Sequence, residues 1–248
     1  KMPRGDKNHT MLFEFPLPPF EEQERIAGAL GAYDDLIEVN ERRMTLLEEA
    51  AHRLYRDRFV THADPTWERK PIGEVVKFVR GRSYTSTELE EPTSDKGILF
   101  INLKNLRPFG GYQRGEEKRF LGKWREDQCV GQGDILMGVT DMTPERRLVG
   151  HVARVPRFKE RAIFSMDLAK IEPVTCEREF LFEFLSQPQY GKLFSAFANG
   201  ATVSHLRPDT LLDEPVLMPP LGAQRDYGRA VQPLYKAMDV LAEQNALL

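Results

Sequence analysis

The stretch "PLPPFEEQERIAGALGAYDDLIEVN", residues 16–40, changes within a few residues from proline-rich extended chain into a long run with helical periodicity. Pro19 suits the position just before a helix, and three glutamates in the next five residues place negative charge at the positive end of the helix dipole. This junction predicts a helix from about Phe20 to about Phe59.

Large and mostly apolar residues recur along the predicted helix in alternating steps of four and three, which is the heptad pattern of a coiled coil. A lone helix cannot bury so long and narrow a stripe, so we expect a second helix to lie along it. The predicted seam consists of Ile26, Leu30, Tyr33, Ile37, Asn40, Met44, Leu47, Ala51 and Leu54.

A blurred copy of the same junction, "PVLMPPLGAQRDYGRAVQPLYKAMDVLAEQN" at residues 215–245, predicts a second helix. The two helices could pair in parallel or antiparallel, with Asn40 and Asn245 as polar seam residues able to set the register, although the spacing does not show that they meet. The alternative is that the second helix packs only on its own domain, and Pro233 is expected to interrupt it. Its predicted seam consists of Tyr227, Val231, Leu234, Met238, Leu241, Asn245 and Leu248.

Between the two helices the pattern is that of short strands bounded by Gly, Pro and Asp. A helical apolar spacing occupies residues 177–198, and a turn-rich loop follows at 199–211. This mixture predicts an α+β fold, with one mixed α/β domain flanked by long helices that form a coiled coil. The strand-like runs are residues 68–81, 97–106, 129–140, 150–155, 165–174 and 215–220.

The bulk composition is globular, with 41% hydrophobic and 29% charged residues in a chain of 248. There is no apolar run long enough to cross a bilayer and no signal-peptide core, so we expect a soluble, cytoplasmic protein. Cys129 and Cys176 lie far apart without a CxxC spacing and are interpreted as reduced thiols.

A search for catalytic chemistry finds no convincing site. The "LPPF" and "MPPL" segments, residues 17–20 and 218–221, resemble the box of amino-methyltransferases that holds a flipped base, but Leu17 and Met218 cannot make its hydrogen bond to the target amine. No glycine-rich cofactor loop, ATP-binding loop or metal-ligand spacing of histidines and cysteines is present. We therefore expect no catalysis, no metal and no cofactor in this chain.

The formal net charge of −3 hides two basic segments. Residues 77–125 hold eleven basic against six acidic side chains, and residues 146–161 hold six against one. Such segments on a neutral domain can face phosphates, and their Arg, Asn and Gln side chains suit base reading, although each could equally be a solvated surface residue. The candidate DNA-binding residues are Arg80, Arg82, Ser83, Tyr84, Lys104, Asn105, Arg107, Gln113, Arg114, Arg146, Arg147, Ser204, His205 and Arg207.

The order of these features resembles the specificity subunits of type I restriction–modification enzymes. In that family a "PLPP" entry with a following "EQ" leads into a long spacer helix, as in "FPLPPFEEQERIAGALGAYDDLIEVNERRMTLLEEAAHRLYRDRFV" at residues 15–60. Trp67, "GILFINLKNL", "GQGDILMGVT", "FLFEFLSQPQYGKLF" and "NGATVSHLRPDTLLDEPVLMPPL" then follow in the family's order. The resemblance covers nearly the whole chain.

The resemblance implies a non-catalytic subunit that reads one half of a bipartite double-stranded DNA target and directs methyltransferase and restriction/translocase subunits to it. It implies that S-adenosylmethionine, ATP and Mg²⁺ act in those partner subunits. A protein-interaction adaptor built on paired helices, without DNA reading, is the alternative. The implied division is the tail of a preceding recognition domain at 1–19, a central spacer helix at 20–60, a target-recognition domain at 61–219 and a second spacer helix at 220–248.

The family's subunits carry two recognition domains, whereas this chain has one. We therefore expect either the C-terminal half of a longer protein or a natural half-subunit that dimerises across a two-fold axis.

Overall fold

The computed structural model describes residues 11–14, 16–200 and 202–248, so most of the tail predicted at residues 1–19 lies outside the described residues. The first helix begins at Phe20, as predicted, and a π-helical turn at Asp57–Thr61 continues it past its α-helical end. The α-helices are α1 (Phe20–Arg56), α2 (Ile72–Val75), α3 (Arg178–Ser186), α4 (Pro188–Ala196) and α5 (Leu221–Asn245).

Short strands fill the region between α1 and α5, which confirms the mixed character predicted there. The strands are β1 (Glu68–Pro71), β2 (Val76–Arg80), β3 (Leu89–Glu90), β4 (Ile98–Ile101), β5 (Lys118–Phe120), β6 (Cys129–Val130), β7 (Ile135–Gly138), β8 (Thr140–Asp141), β9 (Val152–Arg154), β10 (Ala162–Phe164), β11 (Leu168–Pro173), β12 (Ser204–His205) and β13 (Pro215–Met218). Of these, β3, β5, β10 and β12 lie outside the predicted runs because they are too short to show periodicity.

The strands form two main sheets, one in the order β3-β5-β4-β10-β6 and the other in the order β2-β11-β7-β9. Two small ribbons complete the topology. The β1–β13 ribbon ties the chain just after α1 to the chain just before α5, and the β8–β12 ribbon ties two distant loops together. The β1–β13 ribbon therefore closes the domain at the base of both long helices.

The two long helices pair antiparallel, which decides between the two orientations left open by the spacing. Near one end of the pair, Asn40 Nδ2 donates a 2.8 Å hydrogen bond to Asn245 Oδ1, so the two seam asparagines do meet. Near the other end, the Tyr227 hydroxyl donates to the Ala51 carbonyl at 3.2 Å. A paired asparagine inside an otherwise apolar seam fixes register because any shift would leave both amides unpartnered.

Only part of the predicted α1 seam is covered in this chain. Asn40 and Ala51 are buried, and the other seam residues from position 37 onward are half-buried. The first three seam residues remain exposed, at 44% for Ile26, 59% for Leu30 and 51% for Tyr33. The first half of α1 therefore presents an apolar stripe that α5 does not reach.

An aromatic cluster fastens the helix pair to the domain. Tyr227 of α5 is fully buried, and its ring centroid lies 6.0 Å from Tyr55 and 5.5 Å from Phe59. Phe180 of α3 joins the cluster at 5.1 Å from Phe59, and Trp67 packs on the same ring from outside. Both long helices and the domain thus share one close-packed core, which fixes the helices in position on the domain.

A buried carboxylate lies beside this cluster. Glu183 of α3 is fully buried, accepts a 2.6 Å hydrogen bond from the Tyr235 hydroxyl of α5 and pairs with Nδ1 of His52 on α1. A second contact joins α5 to the domain, because Asp239 of α5 accepts hydrogen bonds from Arg154 of β9 and from Gln132 in the loop after β6. The second helix therefore packs on its own domain and on α1 at the same time.

One helix prediction was wrong, and a second is refined by the structure. Pro233 does not interrupt the second helix, since α5 runs unbroken from Leu221 to Asn245. A proline removes one backbone hydrogen bond, and here the buried residues Val231 and Tyr235 on either side hold the helix against its neighbours. Conversely, the run at 177–198 is two helices, because Pro188 begins α4 after a break at Gln187.

Candidate nucleic-acid interface

The loop after β2 carries the first predicted residues and is locked by its backbone. The Arg82 N–H donates to the Phe164 carbonyl at 2.8 Å, and the Arg82 carbonyl accepts from Met166 N–H at 2.8 Å. Gly81 permits this approach, since a Cβ there would lie 2.0 Å from the Ser165 carbonyl oxygen. Arg80 and Ser83 on either side are exposed.

Asp167 gathers this loop with segments far away in sequence. Its carboxylate accepts hydrogen bonds from the Tyr84 hydroxyl at 3.3 Å and from Thr140 Oγ1 at 3.0 Å. Because Thr140 pairs with His205 across the β8–β12 ribbon, the loop at 80–86 lies beside the 204–207 segment. We call Arg80, Arg82, Ser83, Tyr84, His205 and Arg207 the Asp167 cluster.

Burial raises the pKa of Tyr84, and the nearby Asp167 carboxylate adds to the shift. The hydroxyl therefore stays protonated and able to donate at neutral pH. The Arg207 side chain is 81% exposed, with its Nη2 3.9 Å from Asp209 Oδ2, and His205 is exposed as well. The Asp167 cluster thus presents solvent-exposed hydrogen-bond donors on loops that are held together by the Asp167 carboxylate.

Asp141, the neighbour of Thr140, organises a second group of predicted residues. Its carboxylate accepts from Thr143 N–H and Thr143 Oγ1, both at 2.7 Å, and from the N–H groups of Leu148 and Val149. Burial works against its charged form, but these hydrogen bonds outweigh burial and hold the pKa of Asp141 below its ordinary value. The 143–148 loop is therefore held by hydrogen bonds to a carboxylate whose ionised form is favoured.

The 104–114 loop joins the 143–148 loop. The Phe109 N–H donates to the Arg147 carbonyl at 2.7 Å, and Arg146 Nη1 donates to the Ser195 carbonyl at 2.9 Å. Arg107 Nη2 lies 3.6 Å from Glu48 Oε2, which places this loop beside α1. We call Lys104, Arg107, Gln113, Arg146 and Arg147 the loop-pair cluster, in which Lys104 and Gln113 are exposed.

Three predicted residues are placed differently from the rest. Asn105 is fully buried, with its amide bonded to Asn102 N–H and to the Gln113 carbonyl, so base reading by Asn105 was a wrong prediction. Ser204 is also buried, at 8% exposure, inside the β8–β12 ribbon, which likewise corrects its prediction. Arg114 directly follows Gln113, but its side chain is engaged elsewhere, donating to the Arg157 carbonyl at 2.8 Å and stacking on Phe158.

In the part of the chain that the structure describes, three buried side-chain polar atoms have no hydrogen-bond partner. All three are arginine Nε atoms, those of Arg82, Arg114 and Arg147, and all three residues were predicted from the sequence to bind DNA. A buried unpaired donor is rare and costs about 1–3 kcal/mol. Guanidinium groups make strong charge-assisted hydrogen bonds to phosphate, so these three residues are the leading candidates for phosphate contact.

Sequence reasoning missed the two carboxylates that assemble the clusters. Asp141 and Asp167 were not among the predicted residues, yet both position loops that carry cations. Their signal is an aspartate directly after a strand-like run or within a turn between strands, where Asx turns form.

Other kinds of site are not apparent in the described residues. Nowhere in residues 11–14, 16–200 and 202–248 do three or more His, Cys, Asp or Glu side chains gather in a way that could hold a metal ion. Within the same ranges, no helix is both long and apolar enough to cross a membrane.

Comparison with known proteins gives two curated relatives, and no family model matches the chain. The type I restriction enzyme MjaVIII specificity subunit of Methanocaldococcus jannaschii is 22% identical over an alignment 264 residues long. The alignment covers 98% of this chain and 59% of that protein. The MjaIX specificity subunit of the same organism is 27% identical over 110 residues, covering 38% of this chain and 25% of that protein.

A solved structure shares the fold. The type I restriction–modification system S subunit from M. genitalium superposes with a TM-score of 0.55 at 17% identity, over 92% of this chain and 57% of that one. The chain spans little more than half the length of the relatives that match it throughout. In sequence along nearly all its length, and in fold, this protein is similar to the specificity subunits of type I restriction enzymes, which confirms the resemblance inferred from its motifs.

Proposed function

We propose that this chain recognises a DNA sequence as one half of a bipartite reader, and that it does no catalysis itself. The observation that carries the proposal is the set of orphaned arginine Nε atoms, because each belongs to a residue predicted from the sequence to bind DNA. The two clusters meet at neighbouring residues, Thr140 and Asp141, so cationic loops from four parts of the chain adjoin on the domain. Loops held on a rigid scaffold are the usual bearers of recognition.

The antiparallel helix pair has the role of a spacer in this proposal. Because both helices share the aromatic core with the domain, the position of the domain along the pair is fixed. A rigid rod that holds two readers apart sets the distance between two half-sites. The second reader would come from another domain of a longer protein or from a second copy of this chain, and the helix pair would also dock methyltransferase and restriction/translocase subunits in the cytoplasm.

S-adenosylmethionine, ATP and Mg²⁺ belong to those partner subunits in this proposal. The adaptor alternative rests on the exposed apolar stripe at Ile26, Leu30 and Tyr33, which suits protein docking and not DNA. The two proposals differ in what the domain does. Only the DNA reader predicts salt-dependent binding by the domain itself.

The Asp167 cluster gives a direct test with a matched control. We expect the double variant Arg82→Ala, Arg207→Ala to bind duplex DNA at least about tenfold more weakly, with the slope of log affinity against log salt reduced by about two, one for each lost phosphate contact. Affinity would be measured by fluorescence anisotropy at four salt concentrations. Arg25→Ala is the control, because Arg25 lies on α1 and resembles Arg207 in being highly exposed, at 76%, and in pairing with one exposed carboxylate.

A salt-independent or absent interaction of the wild-type chain, with its methyltransferase partner present, would favour the adaptor. The stronger genetic test replaces residues 61–219 with the same region of a relative and maps methylation in cells. An unchanged methylated motif would exclude this region as the reader.

A further inference from the structure

The tip of the 104–114 loop holds an aromatic ring in an unfavourable backbone conformation. Phe109 has φ 65°, and Gly110 and Gly111 follow with φ 111° and 92°. Bulky L-residues avoid this left-handed region because Cβ crowds the backbone. The Phe109 side chain is nevertheless 65% exposed, so burial does not compensate for the strain.

The strained tip is held in place by its neighbours. Besides the bond from Phe109 N–H to the Arg147 carbonyl, Gly111 N–H donates to the Val152 carbonyl and Arg107 N–H donates to the Gly111 carbonyl, both at 2.9 Å. The edge of the Phe109 ring meets His151 at 5.6 Å between centroids, with the planes at 88°. One side of the ring is thus supported, and the rest projects into solvent.

The surroundings of the ring are cationic. Arg107, Arg146 and Arg147 lie on the two joined loops, and Arg147 Nε has no hydrogen-bond partner, with Glu145 Oε2 3.6 Å away. Arg146, at φ 51°, is the other non-glycine residue with positive φ among the described residues. Both loop tips therefore hold a non-glycine residue in an unfavourable backbone conformation. Such conformations cluster at functional sites.

The carboxylates in this region are weakly engaged. Glu48 lies 3.6 Å from Arg107, and Glu145 lies 3.6 Å from Arg147, both beyond hydrogen-bond distance. Phosphate groups could replace both carboxylates without leaving a buried charge unpaired, since Glu145 is exposed and the Glu48 side chain is 30% exposed. Arg107 and Arg147 are therefore not hydrogen-bonded to these carboxylates, whereas Arg146 Nη1 donates to the Ser195 carbonyl.

We propose that Phe109 is a wedge that inserts its ring at a base step of duplex DNA, while Arg107, Arg146 and Arg147 hold the flanking phosphates. This inference rests on the proposed function and adds a second mode of recognition to it. An apolar side chain that enters the stack kinks the duplex, and the cost of unstacking depends on the step, so the wedge selects flexible steps. An aromatic anchor for a protein pocket would instead have apolar neighbours, whereas the two loops that meet at this ring carry three arginines.

The test uses the full chain and a duplex carrying the motif that methylation mapping identifies, with 2-aminopurine placed at each adenine in turn. Wild-type binding should raise the fluorescence at one step, because unstacking removes quenching. Phe109→Gly should bind about tenfold more weakly or worse, the scale of one lost aromatic–base stack, and should lose the fluorescence rise. Phe109→Trp, which keeps a ring, should retain both.

Stability separates a functional ring from a structural one. Phe109→Gly removes the strain, since glycine adopts positive φ readily, so its melting temperature should equal or exceed that of the wild type. Tyr33→Ala, which removes an exposed aromatic on α1, should leave DNA binding and fluorescence unchanged.

Two outcomes overturn the inference. Unchanged affinity and fluorescence in Phe109→Gly, beside salt-dependent wild-type binding, would remove the wedge and leave the proposed function standing. If Phe109→Gly melts below the wild type and Phe109→Trp binds DNA no better than Phe109→Gly, the ring has a structural role. Absence of DNA binding by the wild type would instead sink the proposed function, and the wedge with it.

Discussion

Replacing Tyr227 by alanine should lower the free energy of unfolding by about 3–5 kcal/mol, the range for deleting a large aromatic side chain from a core. Tyr227 is fully buried and contacts Tyr55 and Phe59 of the first helix and its π-helical extension. Its removal opens a cavity where both long helices meet the domain. Since a domain is stable by only about 5–15 kcal/mol, much of the margin would be lost.

Urea unfolding followed by circular dichroism measures this effect. Tyr227→Phe should cost only about 1 kcal/mol, because it keeps the ring and loses only the 3.2 Å hydrogen bond to the Ala51 carbonyl. Tyr33→Ala is the matched control on α1, where the ring is 51% exposed and the change should stay within about 0.5 kcal/mol. Equal unfolding midpoints for Tyr227→Ala and Tyr33→Ala would show that the aromatic cluster is not the shared core.

The second large effect is expected at Glu183. Glu183→Ala should destabilise the protein by about 3–5 kcal/mol, because it leaves the buried Tyr235 hydroxyl and the His52 imidazole without their common partner. Three elements, α1, α3 and α5, lose their polar link at once. The change is measured by the same urea titration at pH 6.

The Glu183 contact also predicts a pH dependence. The hydrogen bond to Glu183 raises the pKa of His52 above its ordinary value of 6.5, although burial opposes the shift. The folded protein therefore holds this proton more tightly than the unfolded chain. The stabilisation is complete below pH 6.5 and is lost as pH rises through the folded-state pKa of His52.

Unfolding midpoints measured from pH 5 upward would reveal this loss in the wild type. Glu183→Gln should flatten the dependence above pH 6.5, because a neutral amide favours the imidazolium much less. Glu179→Gln, one turn earlier on α3, should keep the wild-type profile. Identical profiles for wild type and Glu183→Gln would assign the pH dependence to other groups.

The two long helices were predictable because their information is local. Heptad spacing, a proline entry and early glutamates all act within a few residues, and α1 begins at Phe20 as those signals indicate. The strands of the middle region were predictable wherever a run was long enough to show alternation or β-branched enrichment. The division into domains and the role of the loops in DNA reading stay predictions.

The candidate site could be predicted as a set of residue types but not as a surface. The sequence offers Arg82 and Asn105 as equal candidates, yet Arg82 has an orphaned donor and Asn105 is enclosed by its own loop. The two residues differ in their hydrogen bonds, because the Asn105 amide reaches backbone groups of its own loop and Arg82 Nε reaches none. These hydrogen bonds depend on the conformation of the loop. Nothing in residue spacing encodes that conformation.

By itself, the sequence determined the long helix, its seam, the second junction and the resemblance to specificity subunits, since these depend on periodicity and on motif order. Only the tertiary structure decided that the helices run antiparallel with Asn40 on Asn245, and that Asp167 and Asp141 draw four loop segments together. The physical reason is that periodicity is fixed by neighbours a few residues apart. Orientation, register and loop assembly are instead decided by contacts between residues as much as 208 positions apart.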